Sequence, residues 1–449
     1  MGWVACWFIP AILQVVRKHL CLRHDLRGFD GGPSACSRKG CVSLSSCSEA
    51  VSMSKVLPAA DTLPTVGKKL LKGRRYGLIA HGASITSRGK LILEFLEDAG
   101  IEPPQVIFTP EHGLFGEYAY MEPVPSDEKG WRGVPIISLY GSSFESLAPP
   151  QRTLSNLDCL VFDLQDIGAR YYTYLATMAI SMEACARAGV QFVVLDRPNP
   201  IGLSDIEGNI PKPYLRSFVS YLDVPNRHGL TAGEVARFFA YKRGLDLDLL
   251  VVECAGLVRP MQLPDTSLPF CPPSPNINDF ECALLYPGLC LLEGTNLSEG
   301  RGTTTPFKVF GAPFIEDPFA FCARLNEFGL EGVAFKPLFF VPKYDKWAGK
   351  RCGGVQAVVL DRRKIKPLLV GLCIVWTAMH IYREGFQWRR EPYEFEERWL
   401  ACDLLFGDET IKTLIEMATS PFEVYEYMNA QSKSFVEESR DFFIYPDSV

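Results

Sequence analysis

Short apolar runs that alternate with helical patterns constrain the fold of this chain more than any other feature of its sequence. Six runs between residues 76 and 252 have the length and composition of strands buried in a parallel sheet. They are Tyr76–Ala80, Gln105–Phe108, Val134–Ser138, Asp158–Phe162, Gln191–Leu195 and Leu249–Val252. Because strands that alternate with helices form βαβ units, the pattern predicts an α/β fold with a mostly parallel sheet.

Three of the intervening segments carry helix signals. Ser87–Ala99 has apolar residues at the i, i+3, i+4 and i+7 positions of one helix face. Tyr174–Ala188 and Thr231–Arg243 also fit a helix. In the last of these, Thr231 is followed three residues later by Glu234, which predicts a capping box at the helix start.

A proline-rich passage divides the chain into predicted domains. Regular patterns break between Pro260 and Pro287, and the run at residues 272–276 contains three prolines that neither helix nor strand accommodates. Beyond it, helix patterns near 318–328 and 367–384 accompany strand patterns near 333–340 and 355–360. With 449 residues in total, we predict a larger domain over 55–270 and a smaller α/β domain over 271–449.

Residues 1–54 differ from the rest, being rich in Cys, Ser and Gly without a helical or strand period. Their composition favours a disordered extension, or a start site placed too far upstream with Met53 as the true start. Five of the 15 cysteines lie in the first 47 residues and the others are scattered, with no CxxC pair. This usage favours reduced, buried cysteines over a disulfide or zinc framework.

Composition and motifs exclude several classes of function. The formal net charge of −6 indicates no nucleic-acid partner, and the absence of about 18 consecutive apolar residues indicates no stable membrane insertion. No glycine-rich dinucleotide motif, phosphate-binding loop or G-x-S-x-G elbow follows a predicted strand. Carboxylates are then the remaining candidates for chemistry, and the sequence carries no signal for an oligomeric state.

Polar loops follow four of the predicted strands directly. They begin at His81, Thr109, Asp163 and Asp196. The carboxyl ends of parallel strands share one edge of a sheet, and ligands bind there, so these loops are expected to converge on one cleft. Glu111, held between Pro110 and His112, is the first candidate for general acid/base catalysis, because burial at a cleft allows a carboxyl group to keep a proton. The alternative is a solvated glutamate in a turn.

The other polar residues in these loops allow two interpretations each. Asp163 and Asp166 are spaced to share a cation, or to bond to amides at the sheet edge. Asp196 is expected to pair with Arg197 and secondarily to contact a ligand, and His228 is a substrate contact or a structural histidine.

The segment from Glu293 to Phe307 is the longest polar constellation in the chain. It combines Glu293, Asn296, Arg301 and Thr303 with several glycines and hydroxyl groups. Such a loop approaches a ligand closely and offers many donors and acceptors, which favours a polyhydroxyl substrate over a plain linker.

Many ordered motifs from Lys55 onward resemble one family, the exo-acting β-N-acetylmuramidases of the NamZ type (glycoside hydrolase family 171, also called domain of unknown function 1343). The motifs include Pro110–Gly113, Ser138–Gly141, Phe162–Gly168, Arg170–Tyr174, Leu195–Pro200, Arg227–Thr231, Pro273–Asn276, Tyr286–Gly288, Glu293–Ser298 and Gly300–Thr303. The resemblance implies a Rossmann-like catalytic domain with helices on both faces of its sheet, and a smaller C-terminal domain that completes the cleft. It also implies release of N-acetylmuramic acid from the non-reducing end of peptidoglycan fragments without a cofactor.

The resemblance also implies site residues. Glu111 aligns with the catalytic glutamate, and the motifs add the substrate-binding candidates His112, Tyr172, Asn199 and Asn276. Two positions depart from the family: the loop at residues 81–85, and Glu299 in place of a small apolar residue, which puts substrate preference in doubt.

Mechanistic alternatives stay open at this stage. Glu111 is expected to protonate the glycosidic oxygen, while Asp163 or Asp166 serves as the second carboxylate in a retaining, inverting or substrate-assisted reaction. The lactyl carboxylate of muramic acid calls for an arginine, either Arg170 or Arg301. The rival functions are a metal-assisted hydrolase using Asp163, Asp166 and His112, and a non-catalytic muropeptide-binding protein. The substrate favours the cell envelope, periplasm or secretion, whereas the cysteine usage favours the cytoplasm.

Overall fold

The structure is a computed structural model that describes residues 55–448, which contain a large parallel sheet and a small antiparallel one. The predicted N-terminal extension, residues 1–54, lies outside the described residues. Residues 55–448 belong to one compact unit. The predicted boundary after residue 270 stays a prediction.

The larger sheet has seven strands. They are β1 (Tyr76–Ala80), β2 (Val106–Thr109), β3 (Asp127–Trp131), β4 (Val134–Ser138), β5 (Cys159–Asp163), β6 (Gln191–Leu195) and β7 (Leu249–Val252). Their spatial order is β3-β4-β2-β1-β5-β6-β7, and every neighbouring pair is parallel except β3 with β4. Without the edge strand β3, this is the doubly wound order 3-2-1-4-5-6, which reverses between β1 and β5. The predicted Rossmann-like sheet is confirmed.

Central strands are apolar on both faces because helices cover both. All five residues of β1 and of β5 are buried. On β5, Phe162 packs into one hydrophobic cluster and Val161 into another on the opposite face. The edge strand β3 carries the mostly polar sequence DEKGW and exposes most of it, so it has no apolar signal by which it could be predicted.

Thirteen α-helices occur in residues 55–448. They are α1 (Val66–Leu71), α2 (Ile92–Asp98), α3 (Gln151–Leu154), α4 (Tyr174–Ala188), α5 (Ala232–Arg243), α6 (Leu263–Thr266), α7 (Phe280–Leu289), α8 (Pro318–Asn326), α9 (Pro367–Ile381), α10 (Ala401–Phe406), α11 (Glu409–Met417), α12 (Pro421–Asn429) and α13 (Ser432–Ser439). Thr231 accepts a hydrogen bond from the Glu234 backbone N–H, and the Glu234 side chain returns one, so the predicted capping box is present. None of these helices is long and apolar enough to cross a membrane.

The second domain is built on a three-stranded antiparallel sheet. Its strands are β8 (Val309–Ala312), β9 (Val333–Phe340) and β10 (Cys352–Val359), in the order β8-β10-β9. Helices α7 and α9 pack together with Gly288 and Gly371 at their point of closest approach. The chain that follows α9 forms helices α10 to α13.

We expect Gly371→Ala to destabilise the protein by about 1–3 kcal/mol, although alanine is the better helix former. A Cβ at this position meets the backbone of Gly288, which cannot move without shifting α7. Gly82→Ala is the control, because the nearest atom to its Cβ is 3.6 Å away. Urea unfolding measures both variants, and equal stability of Gly371→Ala and wild type contradicts the packing argument.

Candidate active site

A cavity lies beyond the carboxyl end of β2, with walls drawn from both domains. Its lining residues are Glu111, His112, Tyr120, Tyr171, Tyr172, Thr173, Tyr174, Val219, Ser274, Asn276, Ile277, Tyr286, Glu293, Arg301, Phe307, Tyr393 and Glu394. Of the predicted site residues, it brings together Glu111, His112, Tyr172, Asn276, Glu293 and Arg301. The set is rich in carboxyl and phenol groups, which suits recognition and chemistry of a sugar.

Glu111 is positioned by the end of β2 and the start of α4. Pro110 links it to the strand, and its side chain is 5% exposed on the cavity wall. One carboxylate oxygen accepts a hydrogen bond from the Met121 backbone N–H (3.2 Å). The other accepts one from the hydroxyl of Thr173 (3.0 Å), the N-cap residue of α4. Glu111 therefore lies at the positive end of a 15-residue helix dipole, which favours negative charge.

His112 and Tyr172 form neighbouring parts of the wall. His112 has a left-handed backbone (φ 75°), and its Nδ1 lies 2.9 Å from the Tyr118 carbonyl oxygen, to which it donates. The ring of Tyr172 packs edge-to-face against Tyr174 and Tyr286, with centroids 4.8 and 5.7 Å apart. Its buried hydroxyl has no hydrogen-bond partner among residues 55–448, so it is available to a ligand.

Arg301 is the centre of a buried charge network. Its Nη1 contacts Glu293 at 2.9 Å and Glu299 at 2.6 Å. The guanidinium lies between the rings of Tyr120 and Phe307, 4.0 and 4.8 Å from their centroids. These contacts fix the arginine on the wall with its charge balanced by carboxylates.

Glu299, which departs from the family pattern, joins this network from behind the wall. Its second oxygen accepts a hydrogen bond from Lys346 Nζ at 3.0 Å. Burial opposes ionisation, but the charges of Lys346 and Arg301 outweigh it and lower the pKa of Glu299 to about 2. The residue is thus a counter-ion of Arg301 and does not line the cavity.

Glu293 and Asn276 are held by phenols of the second domain. Tyr393 donates a hydrogen bond to Glu293 at 2.8 Å, and Tyr344 donates one to the Asn276 side-chain oxygen at 3.0 Å. The second domain thereby orients two polar groups toward the space in front of Glu111.

Glu394 is a third carboxyl group on the cavity wall, and it was not predicted from the sequence. It is 3% exposed and accepts a hydrogen bond from the Tyr140 hydroxyl at 2.9 Å. Burial and the charge of Glu111 raise the pKa of Glu394 well above its ordinary value. Glu394 stands in the charged stretch from Arg389 to Arg398, where several glutamates carry no distinguishing signal. Glu394 differs from the other glutamates of this stretch only in standing between two aromatic residues, Tyr393 and Phe395.

Asp163 and Asp166 lie outside the cavity. Arg197 binds both oxygens of Asp163, at 2.7 and 2.9 Å, and the pair is fully buried. Asp166 accepts a hydrogen bond from the Gly168 backbone N–H and lies 3.2 Å from Nε2 of His228. Both aspartates therefore stabilise the strand-end loops beneath the site.

Arg170, which was predicted to contact the substrate, is structural in the same way. Arg170 is buried and donates to the backbone carbonyl oxygens of Asn209, Val224 and Leu405. Its guanidinium therefore joins the two domains and does not line the cavity.

Asp196 and Asn199 hold the loop after β6. Asp196 accepts hydrogen bonds from Thr231 and Tyr445, and burial raises its pKa to about 6. Asn199 donates to the Leu230 carbonyl oxygen at 3.1 Å. Neither residue lines the cavity.

Asn296 and Thr303 support the loop from Glu293 to Phe307. Asn296 donates to the Gly385 carbonyl oxygen and accepts from the Gln387 N–H, next to a separate surface groove. Thr303 donates to the Gly300 carbonyl oxygen at 2.6 Å. The predicted constellation thus divides into wall residues, Glu293 and Arg301, and residues that shape the loop.

We expect Glu299→Gln to lower stability by on the order of 3 kcal/mol at neutral pH. A carboxyl group whose pKa is lowered on folding contributes stability above its unfolded value of 4.5, and the contribution is lost as the pH falls toward 2. The stability difference from wild type should therefore shrink between pH 4.5 and 2 in denaturant titrations. The exposed Glu316→Gln serves as control, and a difference that does not change with pH argues against the charge network.

Comparisons with known proteins agree along most of the described chain. The N-terminal family model of the exo-β-N-acetylmuramidase NamZ matches residues 76–281, and the C-terminal model matches residues 284–445. The peptidoglycan β-N-acetylmuramidase NamZ of Bacillus subtilis (strain 168) is 39% identical over 393 residues, which are 87% of this chain and 92% of that protein.

Two solved structures from Bacteroides fragilis NCTC 9343, both described as DUF1343 family proteins, share the fold. One has a TM-score of 0.77 with 29% identity, over 87% of this chain and 99% of its own. The other has a TM-score of 0.67 with 27% identity, over 88% and 100%. The chain belongs to the NamZ family of exo-β-N-acetylmuramidases.

Proposed function

We propose that this protein is an exo-β-N-acetylmuramidase that releases N-acetylmuramic acid from the non-reducing end of peptidoglycan fragments. Membership of the family and 39% identity to a peptidoglycan β-N-acetylmuramidase support this function. The observation that carries it is Glu111, which borders open space on the wall of a polar cavity between the two domains. A carboxyl group in that position can act directly on a bound glycosidic linkage.

Arg301 is the proposed partner of the lactyl carboxylate of muramic acid. Among residues 55–448, it is the one arginine or lysine that lines the cavity. Glu293 and Glu299 both engage Nη1, whereas the buried Nε of Arg301 has no hydrogen-bond partner among residues 55–448. A guanidinium N–H that faces a cavity binds a carboxylate strongly, so Arg301 suits this role better than Arg170, whose donors are used by backbone carbonyls.

Aromatic rings supply the rest of the proposed sugar site. Tyr172, Tyr174 and Tyr286 form an edge-to-face group along one side of the cavity. Such rings offer apolar faces to the C–H groups of a pyranose, and their hydroxyls offer hydrogen bonds.

The metal-assisted alternative has little structural support. It requires Asp163, Asp166 and His112 together, but Arg197 occupies both oxygens of Asp163, and only His112 lines the cavity. Across residues 55–448, no group of three or more His, Cys, Asp or Glu side chains is arranged to hold a metal ion. The proposed chemistry therefore uses protein carboxyl groups.

We expect Glu111→Gln to lower the rate of N-acetylmuramic acid release by at least about 10²-fold. The carboxyl group either transfers a proton or stabilises the charge that develops at the reacting centre, and an amide does neither as well. Release is measured by mass analysis after incubation with peptidoglycan fragments that end in muramic acid. The same assay on wild type separates the enzyme from a muropeptide-binding protein, which binds without cleaving.

Glu117→Gln is the matched control. Glu117 is an exposed glutamate on the same loop and does not line the cavity, so its variant should retain wild-type activity. Substantial activity of Glu111→Gln, with an unchanged thermal melt, removes Glu111 from the catalytic role.

A further inference from the structure

The carboxyl group of Glu394 is presented to the cavity by an unusual turn. Tyr393 and Glu396 exchange two backbone hydrogen bonds of 3.0 Å, so Glu394 and Phe395 are the central residues of a two-residue turn. Both have positive φ, 47° and 66°. Turns of this kind ordinarily carry Asn-Gly, because other residues are strained at positive φ.

Aromatic packing holds this strained turn in place. The ring of Phe395 lies edge-to-face against Tyr140 and Phe218, with centroids 5.3 and 6.1 Å away. The same Tyr140 donates its hydroxyl to Glu394, so one residue fixes both the turn and its carboxyl group. Strain that the surrounding structure maintains at a cavity points to a role in function.

The surroundings of Glu394 favour its protonated form. Burial is the largest influence, and the negative charges of Glu111 and Glu293 act in the same direction, raising the pKa of Glu394. The hydrogen bond from Tyr140 and the charge of Arg301 act in the opposite direction without reversing the shift. Tyr120 and Tyr393 also lie close, and both keep their hydroxyl protons because burial raises their pKa values.

Glu111 has the opposite surroundings. Both its oxygens accept hydrogen bonds, from the Met121 N–H and the Thr173 hydroxyl, at the N-terminus of α4. Hydrogen bonds and a helix dipole directed at a carboxylate stabilise its anion. The cavity therefore holds one carboxyl group whose surroundings favour protonation and another whose two oxygens both accept hydrogen bonds, a difference that marks acid and base roles in enzymes.

We propose that Glu394 is the proton donor of the hydrolysis and that Glu111 is its anionic partner. This assignment rests on the proposed glycosidase function, and it changes the role expected of Glu111 from the sequence. Tyr140 donates to one carboxyl oxygen of Glu394, Oε2, which leaves Oε1 as the atom that carries the donated proton.

The reaction balances as an ordinary hydrolysis. Glu394 gives its proton to the glycosidic oxygen, the bond from that oxygen to the anomeric carbon breaks, and its electron pair stays on the leaving oxygen. Water adds its hydroxyl to the anomeric carbon, and Glu111 accepts the proton that the water loses. Transfer of one proton from Glu111 to Glu394 through solvent restores the starting state, with no oxidant or reductant.

Two substrates with different leaving groups test the assignment. The leaving group of a 4-nitrophenyl N-acetyl-β-muramide is an acidic phenol, which needs no proton donor. The leaving group of a muramic acid–glucosamine disaccharide is an alcohol, which needs one. We expect Glu394→Gln to lower kcat/KM for the disaccharide by about 10²–10⁴-fold and to affect the nitrophenyl substrate far less. Glu111→Gln should impair both substrates.

The pH profile gives a second readout. A proton donor must be protonated, so wild-type kcat/KM for the disaccharide should fall as the pH rises through the pKa of Glu394, and Glu394→Gln should lose this alkaline limb. Tyr140→Phe removes a hydrogen bond that lowers this pKa, so the limb should move to higher pH. Tyr140 is thus a positioning residue, and its variant tests the proposal even if Glu394→Gln fails to fold.

The control is Glu397→Gln, an exposed glutamate in the same segment, which should match wild type on both substrates. Equal losses on both substrates in a folded Glu394→Gln, or full activity on the disaccharide, overturn the assignment. Wild type that cleaves neither substrate instead refutes the proposed function, so the two failures are distinguishable.

Discussion

The buried ion pair between Asp163 and Arg197 is the interaction on which the carboxyl edge of the larger sheet depends. It joins the end of β5 to the loop after β6, and Arg197 also donates to the Ile85 carbonyl oxygen in the loop after β1. Breaking a buried pair on one side costs about 3–5 kcal/mol, because the other charge is left unpaired. The rigid edge that results lets the loops above it carry strained and polar groups.

The sheet was predictable from the sequence because its order of strands and helices follows from local periodicity. β1, β4, β6 and β7 begin and end at the predicted residues, and the Thr231 cap lies where the capping box placed it. Glu111, Glu293 and Arg301, which line the cavity, were predictable for a similar reason. Glu111 follows a strand directly, and the other two lie in a segment whose composition is unlike a linker. These signals are all local.

The features that could not be predicted from the sequence depend on contacts between residues far apart in the chain. Asp163 and Arg170 have the residue types expected in an active site, yet Arg197 and three backbone carbonyls bind them, and those contacts span between 34 and 235 positions of sequence. Glu394 was missed because its turn has no Asn or Gly, and its strain is maintained by aromatic rings from distant segments. Residue type alone does not separate a buried counter-ion from a group that meets substrate.

The cavity wall takes Glu111 and its tyrosines from one half of the chain and Glu293, Arg301 and Glu394 from the other. Neither half supplies the whole wall, so a fragment ending near residue 280 would present the sheet edge with only part of the cavity lining. A change in how the halves meet would alter the distance between Glu111 and Glu394, because the two residues come from different halves. Small shifts in how the halves meet can therefore reshape the cavity without any change in the residues that line it.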